Sequence, residues 1–362
     1  MKKTVAVDVS PLYSQDRFRG VGSYTRNLQQ ALKTIQKKLD FDIKFIKNSQ
    51  DLLEKKFDLI HFPYFSPFFL TLSKKIPSPF VVTVHDLIPI KHPNHFPAGI
   101  RGGLKWLIQK NRLKKASSII TDSLFWRKEI ARLINFDEEK IYSIMLAAGD
   151  EFKVIKDKKQ LKTVREKYHL PERFVLYVGD VNWNKNIPAT VEACRLSNLP
   201  LVMVGKSIVS NSFNKNHPES KNLVWLQQQI KQFGAKDDGF RILPLGFVPG
   251  EDLVALYNLA YCFCFPSFDE GFGLPVLEAF GCGCPVITSS SGSLPEVAGK
   301  AAIIVDPEKP QQIAEALTGR LENKDQRSKL VNEGFKQVDR FSWAKTASQT
   351  AAVYKKLLEI ND

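Results

Sequence analysis

Residues 265–299 read FPSFDEGFGLPVLEAFGCGCPVITSSSGSLPEVAG. One apolar run, residues 260–265, leads into this stretch, and another, residues 285–288, leads out of it. Short apolar runs bounded by glycine and proline spell buried strands. Between them the sequence predicts a glycine-rich loop and a short helix opened by Pro275. Strand, loop, helix, strand is the pattern of a parallel sheet with crossover helices, so the fold class is α/β. Two glutamates, Glu270 and Glu278, are framed by this pattern. Glu270 ends the loop, and Glu278 falls about one turn inside the helix. Helix-start N–H groups around Phe272, Gly273 and Leu274 have no partner within the helix and can receive an anion. Carboxylates accept hydrogen bonds from paired hydroxyls. The arrangement therefore suits a polyhydroxylated ligand that carries phosphate. A helix-capping pair is the plain structural alternative. It does not account for two glycines, a proline and an exposed loop carboxylate together.

The same pattern runs outward in both directions. Upstream, residues 174–178 read as a strand, GDVNWNKN (179–186) as a loop, and Ile187-Pro188 as a helix start. Lys185 at that strand-to-helix turn can neutralise phosphate charge, although alone it would read as a surface lysine. Residues 201–204, followed by Gly205-Lys206, repeat strand-then-glycine, and 242–247 and 261–265 are further strands. A lysine-rich passage between residues 149 and 162 marks a domain boundary, expected at 152/153. Before it, residues 4–9, 58–62, 80–84, 117–123 and 140–146 read as strands. A polar loop, residues 14–22, carries Arg17, Arg19, Gly20 and Gly22 ahead of a helix at 23–32. Those glycines suit backbone approach to an anion, but the third glycine of a dinucleotide fingerprint is absent. His85 follows the 80–84 strand. Ligands of open α/β sheets sit beyond the carboxyl ends of the strands, so His85 is placed to hydrogen-bond a sugar hydroxyl or a phosphate. A loop histidine bonded to nearby backbone is the alternative.

Composition bounds these readings. The chain has 362 residues, 43% hydrophobic and 25% charged, enough for two domains with their own cores. No apolar run reaches the length of a membrane span, and the first residues lack the pattern of a signal peptide. Five cysteines without a C-x-x-C pair suggest reduced, buried thiols in a cytosolic enzyme. The net charge is +14, and residues 1–150 hold 25 Lys+Arg against 14 Asp+Glu. A basic first half implies a phosphorylated substrate, an anionic membrane or nucleic acid, or simply a solvated basic face. Residues 98–116 predict a basic amphipathic helix. It could lie on an anionic membrane, but its apolar face is expected in the domain core.

The motifs together resemble the retaining, metal-independent glycosyltransferases of the GT-B group usually called family 4. The likeness runs through RGVGSYTRNL (19–28), VTVHDLIP (82–89), LYVGDVNWNKN (176–186), LPLGFVPGEDLVALYNLA (243–260) and the acid motif. It implies two Rossmann-like domains facing across a cleft. The first is residues 1–152 completed by a C-terminal helix at 342–362, on the acceptor side. The second, residues 153–341, binds a nucleotide sugar. By the same resemblance Glu278 binds ribose hydroxyls, and Glu270 contacts the transferred sugar. Phe272, Gly273 and Leu274 hold sugar and diphosphate by their backbone, and Lys185 and Gly22 belong beside the diphosphate. His85 approaches the sugar. No metal and no cofactor beyond the donor are expected, and GDP-mannose is preferred over glucose, rhamnose or galactose donors. The acceptor would be a saccharide or a lipid-linked acceptor. The expected location is the cytoplasm, peripheral to the inner face of the membrane. Asp180 and Asn184 stand where the family often has arginine, so either Lys206 or Arg19 assists Lys185 or the diphosphate is less strongly stabilised here. Competing readings are a nucleotide-sugar epimerase or phosphorylase on the same fold, and a basic nucleic-acid-binding protein, for which no binding motif is present.

Overall fold

The computed structural model describes residues 2–14, 20–48, 50–210, 212–215, 217–234 and 239–359. The chain forms two compact units, Met1–Ala147 with Phe341–Asp362, and Ala148–Arg340. Each is built on one six-stranded sheet whose neighbouring strands all pair in parallel.

In the first unit the strands are β1 (Thr4–Asp8), β2 (Asp42–Ile46), β3 (Leu59–Phe62), β4 (Phe80–Thr83), β5 (Ser118–Thr121) and β6 (Ile141–Ser143). Their order is β2-β1-β3-β4-β5-β6, so the direction of winding reverses between β1 and β3. The second unit has β7 (Val175–Val178), β8 (Leu201–Val204), β9 (Ile242–Gly246), β10 (Cys262–Phe265), β11 (Val286–Ser289) and β12 (Ala302–Val305). Here the order is β12-β11-β10-β7-β8-β9, which reverses between β7 and β10. Strands β3, β4, β5, β8, β10 and β11 are buried along their whole length. That is why they read as unbroken apolar runs, as strands with both faces covered by helices do. The edge strands β2 and β12 escaped the sequence reading. Asp42 and Lys44 interrupt the first, and β12 is too short and too partly exposed to stand out.

Two helices depart from expectation. One spans Gly20–Ile35, so Gly20 and Gly22 form its first turn rather than a preceding loop, and Gly22 is buried. Arg17 and Arg19 lie outside the described residues. The second, Gly99–Leu113, turns Gly102, Gln109 and Leu113 inward. Its aliphatic stripe faces solvent instead of the core, with Ile100 at 86% and Leu104 and Leu107 each at 58% exposure. The inward face is chosen by what it must fit. On it the Gln109 side chain binds the Phe69–Leu72 loop.

The C-terminal helix Trp343–Leu357 belongs to the first unit, where it packs on the Gly20–Ile35 helix. Ser342 caps its start by accepting from Lys345 N. Thr346 donates to the Met145 carbonyl at 2.7 Å. All five cysteines are buried, and none is in a disulfide.

In the second unit the exits of adjacent strands touch backbone to backbone. A Cβ on Gly205, just after β8, would lie 2.1 Å from the carbonyl oxygen of Gly179, just after β7. That clash cannot be relieved by a side-chain rotation. Gly205→Ala should therefore cost about 1–3 kcal/mol, as overpacking does. Gly103 sits inside a helix with no atom within 4 Å of its would-be Cβ, and Gly103→Ala should stabilise by about 0.5–1 kcal/mol. Urea unfolding midpoints of the two variants are expected to move in opposite directions.

Candidate active site

The reversal of winding between β7 and β10 decides where the second unit can bind. Neighbouring strands whose crossovers leave in opposite directions open a crevice at their carboxyl ends. The loops leaving these two strands are 179–186 and 266–273, which carry Lys185 and Glu270.

These loops are joined by buried polar contacts. The Asn184 side-chain amide donates to the Asp269 carbonyl at 3.0 Å, and Phe268 N donates to the Asn184 carbonyl at 2.7 Å. The Asn186 amide donates to the carbonyls of Pro266 and Pro307, at 3.0 and 2.6 Å. The rings of Trp183 and Phe268 stack with centroids 5.0 Å apart. Leaving such buried amides unbonded would cost about 1–3 kcal/mol each, so the two asparagines hold a specific loop geometry. Asn184, which stands where an arginine was sought, is a clamp in this chain rather than a charge.

Within that frame Lys185 Nζ lies 2.8 Å from both carboxylate oxygens of Glu270. Glu270, expected as an exposed loop carboxylate, is 6% exposed. A carboxylate buried in this crevice needs a counter-charge, and Lys185 supplies it. The Lys185 ammonium also sits over the Phe265 ring at 4.9 Å. Ser293 Oγ spans the carbonyls of Glu270 and Phe272, at 2.9 and 2.7 Å, and shapes the turn that follows. Gly273 takes φ +112°, a conformation open to glycine, and hands over to the Leu274–Gly281 helix with Pro275 in its first turn.

Glu278 points from that helix and accepts a hydrogen bond from Tyr257 OH at 3.0 Å. Burial pushes its carboxyl up to about 7; the Tyr257 bond pulls it down and the negative charge of Glu151 adds to the rise. Lys206 is exposed just beyond Gly205. Ser207 Oγ, one residue on, donates to Asp180 Oδ1 at 3.1 Å.

In the first unit His85 follows β4, and Asp122 follows the neighbouring strand β5. His85 Nδ1 and Asp122 Oδ2 are 2.7 Å apart, with Asp122 almost wholly buried. Burial alone would lower the imidazole, but Asp122, then Asp86 and the Pro63 carbonyl, outweigh it and raise its pKa. The Tyr24 ring meets His85 edge-on at 4.6 Å. Tyr24 OH bonds Thr83 Oγ1 at 3.1 Å, Thr83 bonds His61 Nε2 at 2.8 Å, and His61 Nδ1 meets Tyr354 OH at 2.5 Å. Burial, with the nearby His85 charge, drives His61 down to about 3, so it stays neutral. A chain of polar groups thus runs from the C-terminal helix to the back of His85. Asp122 was missed in the sequence, although a carboxylate ending an apolar strand is the same signal that singled out His85.

Two Rossmann-like units, with a paired acid and lysine at the switch point of the second, define a doubly wound α/β architecture. Comparison with known proteins specifies it. Residues 159–337 match the family described as "Glycosyl transferases group 1", and residues 8–145 match "Glycosyltransferase Family 4". The chain is similar to O-antigen chain mannosyltransferase B of Escherichia coli, 32% identical over 76% of this chain and 70% of that protein. It is also similar to the serotype-specific mannosyltransferase WbdA of Escherichia coli, 29% identical over 78% of this chain and 34% of that longer protein. Among solved structures, sucrose-phosphate synthase from Thermosynechococcus elongatus superposes with a TM-score of 0.74 at 20% identity, covering 99% of this chain and 100% of that one. Anabaena HepE in complex with UDP and glucose superposes with a TM-score of 0.71 at 17% identity, covering 98% and 100%. The chain belongs to the group 1 (family 4) glycosyltransferases of the GT-B fold, and it is a glycosyltransferase.

The His85–Asp122 pair makes a direct prediction. In an NMR titration the His85 imidazole should titrate above the ordinary value of about 6.5, and Asp122→Asn should bring its midpoint down. Protonated His85 then contributes stability that is present at low pH and lost as pH rises through its raised midpoint. An unchanged midpoint in Asp122→Asn would remove Asp122 as the cause.

Proposed function

We propose that this glycosyltransferase moves a hexose, mannose by preference, from a nucleotide sugar to a saccharide or lipid-linked acceptor, retaining the anomeric configuration and requiring no metal. GDP-mannose is the favoured donor. The reading is carried by the Lys185–Glu270 pair at the β7/β10 switch point, with Glu278 on the next helix. Relatives named mannosyltransferases support the choice of sugar. A cytoplasmic location, peripheral to the inner face of a membrane, accompanies this reading.

The chemistry follows from where charge develops. As the bond from the anomeric carbon to the diphosphate oxygen breaks, its electron pair leaves with the diphosphate, and the sugar becomes cationic. The acceptor hydroxyl attacks the anomeric carbon from the same face, and its proton passes to the leaving phosphate oxygen. Lys185 and the N–H groups of Phe272, Gly273 and Leu274 would hold the growing negative charge. In the Gly20–Ile35 helix the first-turn N–H groups, with Gly20 and Gly22, are suited to an anion. Lys185 is bound to Glu270, so an incoming diphosphate competes with the carboxylate for the ammonium. Glu270 released in that exchange is a buried carboxylate beside the sugar, suited to hydrogen-bonding its hydroxyls and opposing positive charge at its carbon. Glu278, when ionised, accepts both ribose hydroxyls. His85, oriented by Asp122, is suited to hydrogen-bond a sugar hydroxyl.

A thermal-shift series with GDP-, UDP-, ADP- and dTDP-sugars should give its largest shift with GDP-mannose. Glu278→Ala should raise the donor Kd by roughly tenfold or more, while Glu270→Ala mainly lowers donor turnover. If neither substitution affects donor hydrolysis or transfer, the site is elsewhere; an epimerised sugar from donor alone would favour an epimerase. Because Glu278 must be ionised to accept two hydroxyls, donor affinity should improve as pH rises through about 7. Glu278→Gln should flatten that dependence.

A further inference from the structure

Tyr257 is wholly buried on the Gly250–Leu259 helix. Its hydroxyl donates to Glu278 Oε2, at 3.0 Å, on the neighbouring Leu274–Gly281 helix. Glu278 keeps some contact with solvent. One oxygen of its carboxylate is therefore held from the inside. The other, Oε1, has no hydrogen-bond partner among the described residues, and a carboxylate oxygen has lone pairs for two donors.

The tyrosine that makes this bond is fixed on two sides. Its ring meets Phe152 edge-on at 6.0 Å and Phe263, on β10, at 5.4 Å. Phe152 is seated in turn against Gly281, where a Cβ would run into the Phe152 carbonyl. The segment 149–152 and the two helices are thus locked around the carboxylate. A phenylalanine would fill the same space, so packing accounts for the ring and not for the hydroxyl. A buried tyrosine hydroxyl takes a partner, and here that partner is the one carboxylate that faces it.

The charges around Glu278 make the hydroxyl matter. Burial and the negative charge of Glu151 both raise the Glu278 pKa, and the Tyr257 bond is what opposes them. No Lys or Arg pairs with Glu278 among the described residues. Burial keeps the nearby Cys282 and Cys284 thiols protonated. The Lys324–Val338 helix meets the Leu274–Gly281 helix through Gly334, which abuts Phe280. Tyr257 itself is pushed well above the ordinary tyrosine range, first by burial and then by Glu278, so it remains a donor. Glu270 is neutralised by a lysine; Glu278 is steadied by a neutral hydroxyl, which leaves its charge for a ligand.

We propose that Tyr257 is a positioning residue for donor binding, an inference that rests on Glu278 as the ribose ligand: its hydroxyl holds Oε2 in place so that Oε1 is presented to the ribose hydroxyls. Tyr257→Phe in the whole protein removes the hydroxyl and keeps the ring. Carbon-13 NMR of the glutamate carboxyls should then show Glu278 titrating about one pH unit higher than in the parent, as the loss of one hydrogen bond to a charged group predicts. Calorimetric titration with GDP and with 2′,3′-dideoxy-GDP reads the ribose contact itself. The parent should prefer GDP by about tenfold or more, and Glu278→Gln should reduce that preference. Tyr257→Phe should cut it at least threefold near pH 7, with dideoxy-GDP binding as before, and raising the pH to about 9 should restore much of it as Glu278 ionises unaided. In a Glu278→Gln background Tyr257→Phe should change nothing further. A Glu278 that titrates as in the parent would overturn the proposal. So would an unchanged preference in Tyr257→Phe where Glu278→Gln reduces it, or an equal loss of both ligands, which marks a packing defect. A parent that binds GDP and dideoxy-GDP alike would instead remove the ribose reading of Glu278, and the role of Tyr257 with it.

Discussion

Everything in the second unit is arranged around one buried ion pair at a break in sheet winding. Lys185 and Glu270 are 85 residues apart in the chain and meet with both carboxylate oxygens 2.8 Å from the ammonium. Neither charge is stable in the crevice alone, since an unpaired buried charge costs several kcal/mol. The pair therefore requires its two loops to be held closely. That requirement explains the amides of Asn184 and Asn186, the stacked Trp183 and Phe268, and the serine that spans two carbonyls. It also explains Gly292, where a Cβ would lie 2.9 Å from Glu270 N.

The first unit uses a different device for a similar end. His85 is partly exposed but its Nε2 is buried, and its position is set from behind by Asp122 and by the Tyr24 ring. Tyr24 is tied through Thr83 and His61 to Tyr354 on the C-terminal helix. Hydrogen bonds thus connect the last helix of the chain to Tyr24, whose ring edge meets His85. Neutral His61, held near 3 by burial, can serve as both donor and acceptor in that chain at any physiological pH.

What could be read from the sequence and what could not divide along physical lines. The buried strands were legible because strands covered on both faces are continuous apolar runs, and Glu270, Glu278 and Lys185 stood out against glycine and proline punctuation. Partnerships were not legible. That Lys185 neutralises Glu270, and that Asp122 backs His85, depends on which strands are neighbours, and strand order is set by tertiary packing. The sense of the Gly99–Leu113 helix was misjudged for a related reason: a helical apolar stripe has the same period whether it faces a core or the solvent. Only Gly102 and Gln109 on the other face hinted at the true orientation, one too small and one too polar to look like core.

The central claim is that Glu270 holds the lysine that the donor diphosphate must claim, and calorimetric titration of GDP into the whole protein tests it most directly. Lys185→Ala should weaken GDP. Glu270→Gln, which removes the competing charge and keeps the shape, should tighten GDP by on the order of tenfold, the equivalent of one charge-assisted hydrogen bond of about 1.5 kcal/mol. A Glu270→Gln protein that binds GDP no better than the parent, or a Lys185→Ala protein that binds it equally well, would contradict the account.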